Sequence, residues 1–253
     1  MLKEDLVDGH TMKTSVVGQL LSLGGGNHYI EVNRGGDGCL WLGVHSGSRN
    51  FGLTVANTYQ RKAEESSVGG PADLSYLDKG SPYLARYMLC ADACAMFSLV
   101  NHEMILRAIR GFISGEEDFS REDLVTTLHN YVDTKRMIIR KGAVSAMAGG
   151  KFLMPLNMRD GVAVCVGKGN WDYNLSAPHG CGRLMSRAQA KRELDPDKVS
   201  RDMADAGVFT TSLGYSLDEA ADAYKAPGTI LAAIRDTAEV VEVMRPVYNI
   251  KGR

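Results

Sequence analysis

The sequence has no stretch approaching the roughly 18 or more consecutive apolar residues of a membrane span. Its first residues, MLKEDLVDGH, carry no apolar core that would serve as a signal peptide. Those two absences point to a cytoplasmic protein with no membrane partner. A disulfide framework is missing too: Cys39, Cys90, Cys94, Cys165 and Cys181 are odd in number, scattered, and in neither CxxC nor zinc-finger spacing, so reduced thiols are expected. No GxxxxGK[ST] loop and no GxGxxG following a strand occur, which removes the common nucleotide-binding folds. Charge of one sign is also lacking. The net charge is −1, so any attraction to nucleic acid has to come from a local basic patch and not from the field of the whole chain. No internal repeat or low-complexity linker interrupts the 253 residues, of which 44% are hydrophobic and 23% charged, and one domain, 1–253, is the simplest reading.

What is present in excess is glycine. The 28 glycines cluster at Gly24-Gly25-Gly26, Gly35-Gly36, Gly149-Gly150 and around Gly167 and Gly180, which implies loops that approach a ligand closely. Tyr29–Val32 and Cys39–Val44 read as strands joined by the turn Asn33–Gly38, a hairpin. From Pro82 to about Ile109, apolar residues recur at three- and four-residue spacing (Leu84, Met88, Ala91, Ala95, Leu99, Ile105), predicting one long helix. Cys90 and Cys94 lie on it and read as packing residues, and His102 as a packing or surface residue. Ser120 and Arg121-Glu122-Asp123 are expected to open a second short helix reaching Leu128 and ending at His129-Asn130. Met137–Ile139 and Val162–Val166 read as strands, and Leu217–Tyr224 and Gly228–Val243 as helices. Strands and helices interleave without a βαβ rhythm, so the expected class is α+β.

The chemistry concentrates in histidines. His28 follows three glycines and opens a strand, His45 ends the next strand, His129 ends an element and His179 sits in a Pro-His-Gly-Cys-Gly-Arg loop. Imidazole is a common metal ligand, and metal sites gather donors from element ends that the fold brings together. Spacing alone leaves two readings open: a metal site using three of these four, or structural histidines. His10 reads as a solvated side chain. Ser46-Gly47-Ser48-Arg49 and Gly180-Cys181-Gly182-Arg183, followed by Arg187, offer backbone N–H groups and guanidinium forks, for which phosphate is the natural guest.

Five blocks, Leu23–Glu31, His45–Gly52, His129-Asn130, Arg140–Ala143 and His179–Arg187, occur in an order and spacing that resembles the RtcB family of RNA ligases. Ala223-Tyr224-Lys225 and Arg245–Gly252 look like the closing segments of that family. The resemblance implies an RtcB-like fold, with mixed or antiparallel sheets and helices around a central metal and nucleotide cleft. It implies two Mn2+ ions, with His28, His45 and His129 as ligands, and GTP, whose α-phosphate His179 attacks to give a histidine–GMP phosphoramidate. GMP then passes to an RNA 3′-phosphate, or one derived from a 2′,3′-cyclic phosphate, and a 5′-hydroxyl end displaces it, in tRNA splicing or RNA repair. Asn27, Glu31, Asn130, Gly180, Cys181, Gly182, Tyr224 and Lys251 match nucleotide-holding positions, with Tyr224 and Lys251 near guanine. Arg49, Arg183 and Arg187 match positions suited to RNA phosphates.

The sequence departs from the family pattern in two places. An upstream segment with an Asp-x-Gly-Cys-type motif, whose cysteine bridges the two metals, has no counterpart here, and Pro155–Gly161 replaces the better-known Pro-Gly-Ser-Met-Gly loop. Expectations therefore include a separately encoded amino-terminal fragment or an archease-like activator as partner. The alternatives are a degenerate or split module that binds nucleotide or RNA without activity of its own, and a metal-dependent phosphoesterase in which the histidines activate water.

Overall fold

A computed structural model describes residues 15–66 and 74–252; the reading of His10 falls outside them. Contacts divide the chain into two compact units, one comprising Met1–Ser22, Ser46–Ile105 and Tyr131–Ile138, the other Leu23–His45, Leu106–Asn130 and Ile139–Arg253.

The first unit is built on α1 (Arg49–Ser66) and the first two-thirds of α2 (Leu84–Ser114). Helix α1 is not apparent from the sequence, because its residues are mostly polar. Only Phe51, Val55, Tyr59 and Ala63 are apolar and buried, four residues apart in a single stripe. Phe51, Val55 and Tyr59 pack on Cys90 and Phe97 of α2, each large side chain contributing roughly 1.5–3 kcal/mol when buried. Burial pushes the Cys94 thiol up to about 12, in keeping with the packing reading. By length and composition α2 could cross a membrane. It nevertheless buries Asn101 fully, whose amide donates to the Ser22 carbonyl and the Ser46 hydroxyl, each at 3.0 Å. His102 likewise packs, its Nε2 lying 2.9 Å from the Ser46 carbonyl.

The second unit is organised by an antiparallel path of strands in the order β2 (Leu40–His45), β1 (Tyr29–Arg34), β10 (Ala238–Lys251), β7 (Gly161–Gly167), β6 (Lys151–Asn157), with the short β9 (Phe209–Thr210) parallel to β10. The chain is thus α+β, as expected. The expected hairpin is present as β1 and β2, in register from Tyr29↔His45 to Arg34↔Leu40. The helix expected to run from Gly228 to Val243 is overturned: α6 (Pro227–Ala233) ends early and β10 begins at Ala238. Alternating burial along β10 explains the error, since charged residues between valines satisfy a period of two as well as one of 3.6. Pro246, which has no N–H to donate, sits where the register with β1 slips. Leu217–Tyr224, expected to be helical, is so as two 3-10 turns, Leu217–Glu219 and Ala221–Ala223.

Two further elements set the site. The expected helix from Ser120 to Leu128 reduces to a 3-10 turn at Arg121–Asp123, so His129 ends an irregular segment and Asn130 begins β3 (Asn130–Asp133). Strand β5 (Ala143–Ser145) pairs antiparallel with β8 (Ser176–Pro178), Ala143 opposite Pro178. Their core, Val144 and Ala177 with Phe152, Met154, Ala163, Cys165 and Ile234, lies under the sheet.

Candidate functional site

Register in the hairpin places the first histidines. His28 immediately precedes β1 and His45 closes β2 opposite Tyr29, which brings their rings to 5.6 Å between centroids. The His45 ring meets His129 at 5.3 Å, edge to face, and His129 stacks on His179 at 4.9 Å. Four imidazoles drawn from positions 28, 45, 129 and 179 therefore form one continuous arc.

Gly142 joins the far end of that arc. Its N–H donates to the His129 carbonyl at 2.9 Å and to the Asn130 side-chain oxygen at 2.8 Å. Its own carbonyl accepts from the His179 backbone N–H at 3.3 Å and lies 2.7 Å from His179 Nδ1. A carbonyl can only accept, so Nδ1 is the donor in this contact, and Nε2 is the nitrogen it leaves unengaged. The residue is left-handed, with φ +66°, which favours glycine. Nearby, the buried Arg140 holds the strand leading to His179 through the Ser176 hydroxyl at 2.9 Å and the Leu175 carbonyl at 3.4 Å.

A cavity of about 310 Å³ opens beside the arc, within the range of small-ligand sites. His45 and His179 line it, as do Asn27, Glu31, the loop Gly180-Cys181-Gly182, Arg183, Arg187, Tyr224 and Lys251. His28, His129 and Asn130 stand outside that lining. Arg49 belongs to the first unit, where its Nε donates to the Ser22 hydroxyl at 3.2 Å.

Another part of the cavity wall, reached from His45 through Tyr29, is held by charge. Glu31 is 4% exposed, and burial raises its carboxyl to about 7 against the lowering pull of a hydrogen bond from Asn33 and the charge of Lys251. Burial also draws the Lys251 ammonium below its ordinary range, while Glu219 and Glu31 oppose that. Lys251 lies over the Tyr29 ring at 4.6 Å. Tyr224, raised by burial and then by Glu219, remains a phenol and donates to Glu219 Oε2 at 2.7 Å. Arg183 donates to the Tyr224 hydroxyl at 3.1 Å and to Glu219 at 3.3 Å. Arg187, set at the first turn of α3 (Arg187–Glu193) by the Ser186 cap, pairs with Asp218 at 2.7 Å.

Sequence reasoning gave no role to Glu219 and Tyr29, which line the cavity, or to Asp218, which pairs with Arg187; the Pro155–Gly161 segment, set apart as replacing a family loop, lines it at Pro155–Met158 and Gly161. The signal was an acidic pair between Leu217 and Ala220, an apolar setting in which ionised side chains stay only when paired.

The donor types suit a divalent cation in part. Imidazole is a borderline ligand, yet among the described residues no group of three or more His, Cys, Asp or Glu side chains is arranged to hold a metal. Holding a metal at the arc would require rotamer changes and further donors.

The family described as tRNA-splicing ligase RtcB matches residues 3–252. The chain is 29% identical over 260 residues to RNA-splicing ligase RtcB of Escherichia coli K12, covering 95% of this chain and 63% of that protein. It is 29% identical over 287 residues to tRNA-splicing ligase RtcB of Thermococcus kodakarensis, and 28% over 294 residues to that of Aeropyrum pernix. It covers 60% and 61% of those two proteins, so it spans less than two-thirds of the length of these relatives.

Proposed function

Because the chain belongs to the RtcB family, we propose that it carries the guanylylation chemistry of an RNA ligase that joins RNA 3′-phosphate and 5′-hydroxyl ends at the expense of GTP. The observation that carries this reading is the hydrogen bond that fixes the His179 ring. With Nδ1 bound to the Gly142 carbonyl, Nε2 is the nucleophilic nitrogen, at the edge of a cavity of nucleotide-compatible size.

In this proposal Nε2 of His179 attacks the α-phosphorus of GTP, an N–P bond forms, and pyrophosphate leaves. The positive charge developing on the ring is accommodated at Nδ1, which already points at a carbonyl oxygen. The backbone of Gly180-Cys181-Gly182 and the guanidinium groups of Arg183 and Arg187 face the phosphates, Arg187 keeping 44% of its side chain exposed. Tyr224 and Lys251, with Glu31, take the base. Asn27 and Asn130 flank the histidines, Asn130 by holding Gly142. His28, His45 and His129 would hold Mn2+, which when bound would offset charge on the phosphoryl oxygens. The remaining metal donors would come from outside the described residues or from a partner. GMP on His179 would then move to an RNA 3′-phosphate and be displaced by a 5′-hydroxyl, with Arg183 and Arg187 contacting RNA phosphates.

The test is incubation with radiolabelled GTP and Mn2+, alone and with the amino-terminal segment of a longer relative, beside His179→Ala. Acid-labile, alkali-stable label that disappears in the variant supports the proposal. Absence of label under both conditions rejects it in favour of a binding module without activity.

A further inference from the structure

Among the side chains around the cavity, Glu219 is the one on which the others converge. It is 3% exposed and ends the 3-10 turn Leu217–Glu219. Oε1 meets Arg187 at 2.5 Å and Arg183 at 3.3 Å; Oε2 accepts from Tyr224 at 2.7 Å and lies 3.7 Å from the Lys251 ammonium. A carboxylate offers about four lone-pair directions, and here each is directed at a different partner. Those partners come from separate pieces of chain: the loop after β8, the first turn of α3, the residue after the 3-10 turn Ala221–Ala223, and the end of β10.

We propose that Glu219 is the positioning residue of this cavity, the single anchor that fixes Tyr224 and Lys251 where they meet the base of a bound purine nucleotide. The inference rests on the nucleotide reading of the cavity. Asp218 cannot substitute, because it is directed at Arg187 and at Lys191, 3.6 Å away. Nor can Glu31, which is bonded to Asn33. Without the Glu219 charge, Arg183 and Lys251 would lose their carboxylate partner, while Arg187 would keep Asp218. Tyr224 would lose its acceptor and Lys251 its nearest anion. One effect runs the other way: a carboxylate repels a triphosphate. Both Glu219 oxygens are already engaged by Arg183, Arg187 and Tyr224, so that repulsion is neutralised locally and geometry dominates.

The experiment compares Glu219→Gln and Glu219→Asp with the wild-type chain, measuring GTP and ATP affinity by equilibrium binding with Mn2+ present, together with thermal stability. Glutamine keeps the shape without the charge; aspartate keeps the charge one methylene short of its partners. The expected result is a loss of GTP affinity on the order of tenfold in the glutamine variant, with a smaller loss in the aspartate variant. ATP affinity should change much less, so the preference for GTP collapses. A merely structural residue would lower stability and leave the GTP to ATP ratio intact. Retention of the wild-type ratio in a folded variant, or tighter GTP binding, overturns the assignment; should the glutamine variant fail to fold, the aspartate variant decides on the same ratio. A wild-type chain that binds neither nucleotide removes the nucleotide reading and this inference with it. Selective binding by the wild-type chain with an unaltered variant ratio removes this inference alone.

Discussion

The two sides of the cavity are held in different ways. On the histidine side the backbone does the holding: strand register sets His45 opposite Tyr29, and the left-handed Gly142 ties His129 to His179 through its own N–H and carbonyl. In the other group, charged side chains hold one another, with Glu219 and Asp218 engaging Arg183, Arg187, Tyr224 and Lys251. Backbone anchoring leaves a ring nitrogen of His179 available for chemistry. Mutual saturation on the other side gives a rigid, shaped wall suited to recognition. Under the proposed function, reactivity and selectivity would be separated within the same cavity, and substitutions in each group should produce different kinds of defect.

The largest expected effect tests the charged side. Glu31 has a folded pKa of about 7, above the 4.5 of an ordinary glutamate carboxyl. A raised carboxyl contributes stability that is fully present below the lower value and lost as pH rises through the higher one. Stability should therefore fall between about pH 4.5 and 7, by on the order of a few kcal/mol. Glu31→Gln, followed by urea denaturation across that window, should remove the fall; an unchanged slope would mean that Glu31 is not the group responsible.

The next effect tests the histidine side. His45→Ala should weaken Mn2+ binding on the order of 100-fold, since outer partners of metal ligands alone are worth 10–100-fold. Electron paramagnetic resonance titration of free Mn2+ reads this directly. Metal-free stability should change little, because neighbouring rings and strand register hold this part of the chain in place. Equal loss of metal affinity in Lys251→Ala would break the division between the two sides.

The smallest effect sharpens the account of Gly142. A Cβ there would sit 3.5 Å from His179, ordinary contact, so Gly142→Ala should cost only the left-handed backbone strain of about 1–2 kcal/mol. A loss well above that in chemical denaturation would show that the His179 hydrogen bond is also disturbed.

Much of the site could be read in the sequence, because its residues lie in short contiguous blocks whose spacing carries the signal. The Gly-Gly-Gly-Asn-His run, the strand-ending His45 and the Pro-His-Gly-Cys-Gly loop all stand where the structure shows element ends. The hairpin and α2 were legible for a related reason: their periodicity is local. Helix α1 was not, since its narrow apolar stripe gains meaning only against Cys90 and Phe97. Strand β10 was misread across Ala238–Val243 because alternating valines and acids fit helix and strand alike until β1 and β7 supply hydrogen-bond partners.

The sequence by itself determined the donors: which imidazoles and guanidinium groups are available, and that glycine flanks them. Only the tertiary structure decided which of them meet, that Gly142 engages Nδ1 of His179, and that Asp218 and Glu219 anchor the charged wall. The reason is physical. Donor chemistry is a property of single residues, whereas convergence and burial arise from strand pairing between residues far apart in the chain, such as Tyr29 and Lys251. It is burial that moves Glu31 to about 7 and makes the charge of Glu219 matter.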